Sequence, residues 1–242
     1  MRIQMLGTGN AFAKKNYNNN ALIYVDGFTL MVDCGITALI SMHELGKPLT
    51  DVDAILLTHI HGDHVGGLEE FAFRMKFQYG KKPLMYVPEA ILQPLWENTL
   101  KGGLMQEGGQ MIEDYFNVIP VREQTPVELS RHLTVELLRT PHIPNKPSYS
   151  LYFNNRFFYS ADMRFNPELL KQLINERGCE TIFHDCQLAQ PGAVHATLDE
   201  LLSLPEAIQE RIWLMHYDDD QEQYIGRTGL MRFVEQHKIY TI

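Results

Sequence analysis

His59-Ile60-His61-Gly62-Asp63-His64 places four metal-capable side chains within six residues. The run follows Asp53-Ala54-Ile55-Leu56-Leu57-Thr58, whose apolar middle predicts a buried strand, and it is closed by Gly66-Gly67, which opens a helix. A loop at a strand end can turn such side chains into one pocket. Three imidazoles and a carboxylate, with no thiolate among them, favour a borderline or hard divalent cation, Zn²⁺ first and Mn²⁺ second. A surface loop that merely happens to be rich in histidine is the bland alternative. The density of the run between a strand and a glycine pair weighs against it.

Four ligands from one loop serve one metal or are divided between two, and in the second case further ligands are needed from other strand ends. His142 follows the strand-like run Leu133 to Arg139, Asp162 follows Phe157 to Ser160, and His216 follows Arg211 to Met215. Each is a single polar residue directly after an apolar run. Alone, each is more often an ordinary loop residue; together with His59, His61, Asp63 and His64 they make a consistent set.

The rest of the chain supplies the frame. It has 242 residues, 45% hydrophobic and 21% charged, the balance of a globular protein with a sizeable core. One domain spanning 1–242 is expected, because no linker, repeat or low-complexity block interrupts it. The formal net charge of −9 argues against sequence-independent binding of long nucleic acids, which rests on Lys and Arg contacts to phosphates. It leaves room for a small phosphate ligand, since a bound metal supplies positive charge locally. Met1 to Gly7 lacks the apolar length of a signal peptide, and no run approaches the roughly 20 apolar residues of a membrane span. Cys34, Cys179 and Cys186 are an odd number without CxxC spacing, which predicts buried thiols and a cytoplasmic setting.

Strands are expected at Arg2 to Leu6, Ala21 to Val25 and Thr29 to Asp33, the last two joined by the hairpin signal Asp26-Gly27. Helices are expected at Thr37 to Leu45, Leu68 to Phe77 and Pro88 to Leu100, with a strand at Pro83 to Val87 between the last two. The glycine-rich Lys101 to Gln110 reads as a mobile loop. Further strands follow at Tyr149 to Phe153 and Thr181 to His184, and helices at Asn166 to Asn175 and from Thr197. The pattern suggests an α/β protein with two sheets and helices outside them; a doubly wound open sheet is the rival.

The order HxHxDH, His, Asp, His resembles the metallo-β-lactamase superfamily of hydrolases over nearly the whole chain, as do Leu6-Gly7-Thr8-Gly9 and Val32-Asp33-Cys34-Gly35 near its start. The resemblance implies an αββα sandwich of two mixed sheets flanked by helices. Val194-His195-Ala196-Thr197 is similar to the His-Ser/Leu-Thr element of ribonuclease Z-type enzymes, and Phe183-His184-Asp185-Cys186 stands where those enzymes have His-Glu-Ala-Thr, with Asp in place of Glu. Ribonuclease Z usually carries a long tRNA-gripping arm between the third His and the Asp. Here His142 and Asp162 are 20 residues apart, with only Pro144-Asn145-Lys146-Pro147 between the flanking runs. A compact, acidic, armless chain of this kind resembles the anti-Pycsar phosphodiesterases of phage and their bacterial relatives, which hydrolyse 3′,5′-cyclic nucleotides and disarm an immune signal.

What the resemblance implies is a two-metal hydrolase acting on a small cyclic nucleotide. One ion would be held by His59, His61 and His142, the other by Asp63, His64 and His216, with Asp162 between them. The catalytic residues would be His195, Asp63 and Asp185: His195 protonates the leaving oxygen and Asp185 orients it. The resembling enzymes are homodimers that exchange a lid, which the segment 101–117, with Tyr115 and Phe116, could form; plain core packing of those two rings is the stronger expectation. A ribonuclease Z-type tRNA nuclease, a lactonase or other ester hydrolase, and a metal-binding protein without activity are the alternatives. Tyr17 and Asn18-Asn19-Asn20 read as a polar turn, Asp218-Asp219-Asp220 as a solvated acidic turn, and His43, His132 and His237 as structural.

Overall fold

A computed structural model describes residues 1–242. Two seven-stranded sheets face each other. The first holds β1 (Arg2–Met5), β2 (Ala21–Val25), β3 (Phe28–Val32), β4 (Ala54–Leu56), β5 (Leu84–Pro88) and β6 (Asn117–Val121). The second holds β7 (Val127–Ser130), β8 (Leu133–Arg139), β9 (Tyr149–Phe153), β10 (Phe157–Tyr159), β11 (Thr181–Asp185), β12 (Ile212–Met215) and β13 (Arg232–Phe233). The last strand, β14 (Ile239–Thr241), returns to the first sheet and pairs antiparallel with β1. Both sheets run antiparallel at their start and parallel afterwards: β3 to β6 are parallel, as are β10 to β13. Parallel neighbours deliver their C-terminal ends to the same edge, and that edge is where the polar residues collect.

Alternation along the strands explains the layers. In β10, Phe157 and Tyr159 belong to the large core that joins the two sheets, whereas Phe158 points to a second core under the helices of the C-terminal half. In β11, Phe183 faces the first and Ile182 the second. Strands buried on both faces read as continuous apolar runs, the signature of a sheet covered by helices. The αββα expectation is therefore met, and the single doubly wound sheet is not.

Local chemistry fixes several elements where the sequence places them. Asp26 and Gly27 have φ of 49° and 84°, the two left-handed positions of a tight hairpin turn. Asn166 caps the helix Pro167–Asn175 through Leu169 N–H, with Pro167 in its first turn. Thr197 and Glu200 cap the helix Leu198–Leu202 reciprocally.

The glycine-rich expectation needs correction. Lys101–Leu104 is helical and continues the preceding helix, which widens to an i→i+5 turn at Trp96–Leu100 after Pro94 interrupts its hydrogen bonding. Gly103 lets this turn press against Glu69, whose carboxylate would meet any Cβ there at 1.7 Å. Tyr115 and Phe116 are fully buried, as core packing requires. The sequence pattern does not mark any of the four edge strands: β6 carries Pro120, which demotes a run to an edge, β7 is four residues with one buried side chain, and β13 and β14 are two and three residues long.

The first sheet is locked to the histidine run by a close backbone approach. Cys34 N–H donates to His64 O (2.7 Å) and Gly67 N–H to Cys34 O (2.9 Å). Between them Gly35 N–H donates to Asn20 Oδ1 (2.7 Å), while Asn20 Nδ2 donates to Asp63 O (3.1 Å). A Cβ at Gly35 would sit 1.8 Å from Asp63 O. Gly35→Ala is expected to cost about 3 kcal/mol, the upper part of the overpacking range. At about 2–4 °C per kcal/mol that lowers Tm by roughly 6–12 °C. An unchanged calorimetric midpoint would show that the clamp yields.

Candidate metal centre

The polar edge brings all seven expected ligands together in two groups. His59, His61, His142 and Asp162 form one, and Asp63, His64, Asp162 and His216 the other; within each, the donor atoms lie within 4.8 Å of one another. Asp162 belongs to both and divides its oxygens between them. Its Oδ2 is 3.5 Å from His59 Nε2 and 3.7 Å from His142 Nε2. Its Oδ1 is 3.2 Å from His64 Nε2 and 3.3 Å from His216 Nε2. Asp63 Oδ2 completes the second group, 3.3 Å from both His64 Nε2 and His216 Nε2. His61 turns the other ring nitrogen inward, its Nδ1 lying 3.0 Å from His59 Nε2 and 3.3 Å from His142 Nε2.

These spacings fit cations. Metal–ligand bonds of about 2.0–2.2 Å place the donors of a tetrahedron about 3.3–3.6 Å apart, close to what the two groups show. Nε2 of His64 and Oδ1 of Asp162 are buried with no hydrogen-bond partner although they are neighbours. Unsatisfied buried polar atoms are costly, and a cation between them satisfies both. The donor set is nitrogen and oxygen only; Cys34 is a buried free thiol outside both groups, like Cys179 and Cys186.

Protonation carries the same message. Burial opposes charge on His64 and His216, yet the surrounding carboxylates outweigh it and raise both imidazoles well above their ordinary range. Burial pushes Asp63 and Asp162 up, but the histidines outweigh it and hold both well below the carboxylate range. His61 goes the other way, pushed down to about 4 by burial and then by His59 and His142. A neutral imidazole there is ready to ligate.

Three of the inward-facing histidines are hydrogen-bonded from behind, and a fourth has a carboxylate beside its outer nitrogen. His59 Nδ1 meets Thr58 Oγ1 at 3.1 Å, His64 Nδ1 meets Asp33 Oδ2 at 2.8 Å, His142 Nδ1 donates to Val194 O at 2.8 Å, and His216 Nδ1 lies 3.3 Å from Asp185 Oδ1. Asp33 also accepts from Thr58 N–H and Oγ1–H (2.8 and 2.7 Å). Three non-glycine residues at strand ends take left-handed backbone to aim these groups: Asp33 (φ 58°), Ala161 before Asp162 (φ 49°) and His216 (φ 60°). Such conformations cost about 1–3 kcal/mol each and persist where the surroundings impose them.

His195 lies beside both groups. Its ring centroid is 4.9 Å from that of His142 and 4.9 Å from that of His216. Asp185, fully buried, accepts from His195 Nδ1 at 2.6 Å and from Met163 N–H at 3.1 Å through the same oxygen. Burial works against a charged His195, but the Asp185 carboxylate outweighs it and raises the pKa. Ala196 is pinned to Met163 O and to Gln187 N–H, which fixes the His195 backbone. The cavity over the site measures about 570 Å³, within the range of small-molecule pockets, about 300–1,000 Å³.

Several expectations change. Asn18, Asn19 and Asn20 are buried braces, neither pocket lining nor an exposed turn: Asn19 donates to Tyr159 Oη and Asn18 pairs with Thr37. The acidic turn is not merely solvated. Asp219 accepts N–H groups from Lys14, Lys15 and Asn16, and Asp218 lines the cavity. The segment 101–117 does not reach this cavity within its own chain. His237 hydrogen-bonds Ser41 and His132 meets Asp26, both away from the site. Asp33, which the sequence marks only as part of the family-like stretch Val32 to Gly35 at a strand end, supports His64.

The fold and the paired His/Asp groups define a metallo-β-lactamase-fold protein built to hold divalent metal ions. Solved structures agree on the fold: YhfI from Bacillus subtilis superposes with a TM-score of 0.77 at 17% identity, over 99% of this chain and 98% of that one. The short form of human tRNase Z does so at 0.71 and 17%, over 100% and 99%. Residues 1–240 match the family described as "Anti-Pycsar protein Apyc1". A protein of that name from Paenibacillus sp. (strain J14) is 59% identical across 100% of this chain and 99% of its own length. One from Bacillus phage vB_BsuM-Goe3 is 41% identical across 97% and 96%. The chain belongs to the anti-Pycsar protein Apyc1 family.

Asp33 keeps the His64 proton on Nδ1 and so leaves Nε2 free to ligate. In Asp33→Asn, Thr58 N–H holds the amide oxygen and the amide nitrogen faces His64 Nδ1, which favours the opposite tautomer. Metal affinity is expected to fall about 10–100-fold, the usual effect of removing such a support. Competition with a chelator measures it, and unchanged affinity would remove Asp33 from this role.

Proposed function

We propose that this protein is a metal-dependent phosphodiesterase that opens 3′,5′-cyclic mononucleotides to nucleoside monophosphates, and so counteracts cyclic-nucleotide immunity against phage in the bacterial cytoplasm. The observation that carries the reading is the position of His195, beside a histidine of each group and backed by Asp185. Membership in the anti-Pycsar family supports the substrate class. So does the short path from His142 to Asp162, where Ile143 to Lys146 forms only a turn and no arm rises beside the cavity.

His59, His61 and His142 would hold one divalent ion, Asp63, His64 and His216 the second, and Asp162 would offer an oxygen to each; Zn²⁺ suits this donor set best, and Mn²⁺ is second. Bound there, the ions supply Lewis acidity, neutralising phosphoryl charge and acidifying water. The chain's own contribution is to place the phosphate against this floor and to deliver a proton. Asp185 holds His195 by Nδ1, so its Nε2–H is the proton available to the departing ribose oxygen. Asp185 also keeps the imidazolium populated near neutrality.

Two variants separate these roles. His195→Ala is expected to keep its metal content and lose about 10²–10⁴-fold in kcat on a cyclic mononucleotide, the usual share of a general acid. Loss of metal instead would make His195 a ligand or a structural residue. Activity should fall as pH rises through the His195 pKa, because the acid form is consumed. Asp185→Asn removes the charge that raises this pKa, so the alkaline fall moves to lower pH. A panel of cyclic mononucleotides, cyclic dinucleotides, a pre-tRNA and a lactone tests the substrate class: cleavage of pre-tRNA without cyclic mononucleotide cleavage overturns it.

We also propose a homodimer. Phe77, Tyr79, Met105 and Met111 are exposed apolar side chains in two segments that Lys76 ties together through Gly108 O and Asp114 O. A second copy would cover this patch and let 105–111 reach the partner's site. Light scattering is expected to give twice the 27.9 kDa chain mass; the monomer mass would exclude the arrangement.

A further inference from the structure

We infer that Phe12 is a substrate-positioning residue whose ring stacks on the nucleobase, which makes it a wall of the metal-floored cavity. The inference rests on the cyclic-nucleotide reading above. Phe12 is 84% exposed and forms no pair with another aromatic ring, so it does nothing for the core. Isolated exposed apolar residues are ordinary on protein surfaces. Phe12 differs from the other exposed ones, such as Ile40 and Ile225, in lining the cavity that His61, Asp63, His142, Asp162 and His216 also line.

Its loop is fixed to the site at several points. Asn10 Oδ1 accepts Phe12 N–H (2.9 Å) and Ala13 N–H (3.0 Å). Asn10 N–H donates to Tyr217 O and Tyr217 N–H to Thr8 O (both 3.1 Å), which ties the start of the loop to the residue after His216. Asp219 then gathers Lys14 and Lys15 N–H at 2.6 and 2.8 Å. An exposed aromatic ring is thus carried on a backbone braced from both ends, by residues one and three positions beyond His216. Ile143, Ala189 and Val194 add apolar surface to the same cavity.

A nucleotide with its phosphate on the floor must send its base outward along these walls. The base has flat apolar faces and few obligatory polar contacts there, the chemistry an exposed phenyl ring accepts. Such a stack is tolerant of base identity. It orients substrate in ground state and transition state alike, so its removal raises KM and leaves kcat.

The test uses metal-loaded wild type, Phe12→Ala and Phe12→Trp with two substrates: 3′,5′-cyclic AMP and the 3′,5′-cyclic phosphate of 1-O-methylribose, which has no base. Phe12→Ala is expected to raise KM for cyclic AMP about 5- to 150-fold, the 1–3 kcal/mol of a base–aromatic stack at 1.4 kcal/mol per tenfold. Its kcat and its kinetics on the baseless ester should match wild type, and Phe12→Trp should restore KM. An equal loss on both substrates, or no loss on either, overturns the inference. If wild type hydrolyses neither substrate, the phosphodiesterase reading has failed, and calorimetric binding of adenosine 5′-monophosphate to the same proteins decides the stack by itself: equal Kd for wild type and Phe12→Ala overturns it, a Kd weaker by about 5-fold or more supports it.

Discussion

One carboxylate organises the metal centre. Asp162 sends Oδ2 toward His59 and His142 and Oδ1 toward His64 and His216. It can do so only if the end of β10 stands opposite the end of β4, across the gap between the two sheets. The mixed topology satisfies that condition, because β3 to β6 and β10 to β13 are parallel and release their loops at one edge. The left-handed turn at Ala161 then points the carboxylate into the gap. Burial of so many ionisable groups at the site is tolerable because most of their polar atoms have an opposite charge or a hydrogen-bond partner beside them; His64 Nε2, Asp162 Oδ1 and Asp185 Oδ1 lack a hydrogen bond there.

Around this carboxylate the supports form a second ring with its own division of labour. Asp33, Thr58 and Val194 each hold a single histidine, and they come from the first sheet or from a loop. Asp185 touches two: Oδ2 accepts from His195, and the charge of Oδ1 lies 3.3 Å from His216 Nδ1. A single buried side chain thus connects a residue of the metal groups with the proton donor proposed for the reaction. Their relative placement is set by one short covalent unit rather than by two independent loops.

The sequence made the site more legible than its supports. His59 to His64 announced itself because four donors within six residues carry their chemistry locally, and His142, Asp162 and His216 followed because each ends an apolar run. Asp33 and Asn20 gave no comparable signal. Their work depends on partners 15 to 43 residues away, and an aspartate after a strand or an asparagine before one fits many turns. A run of three aspartates reads as a solvated surface, and only the tertiary approach of Lys14 to Asn16 shows that Asp219, the middle one, binds their N–H groups. The central strands were read from their apolar runs, while Pro120 and short length hid the edges.

The contact between Asp219 and the Lys14–Asn16 backbone has a consequence for how the protein is made. It spans more than two hundred residues of sequence, and β14 closes against β1 over a longer interval still. Contacts of such separation form late, because loop-closure entropy must be met before they contribute. His216 follows Asp63 by 153 residues, so a nascent chain that has emerged only as far as the histidine run has no finished cavity. The cavity closes only once His216 and its brace have joined it.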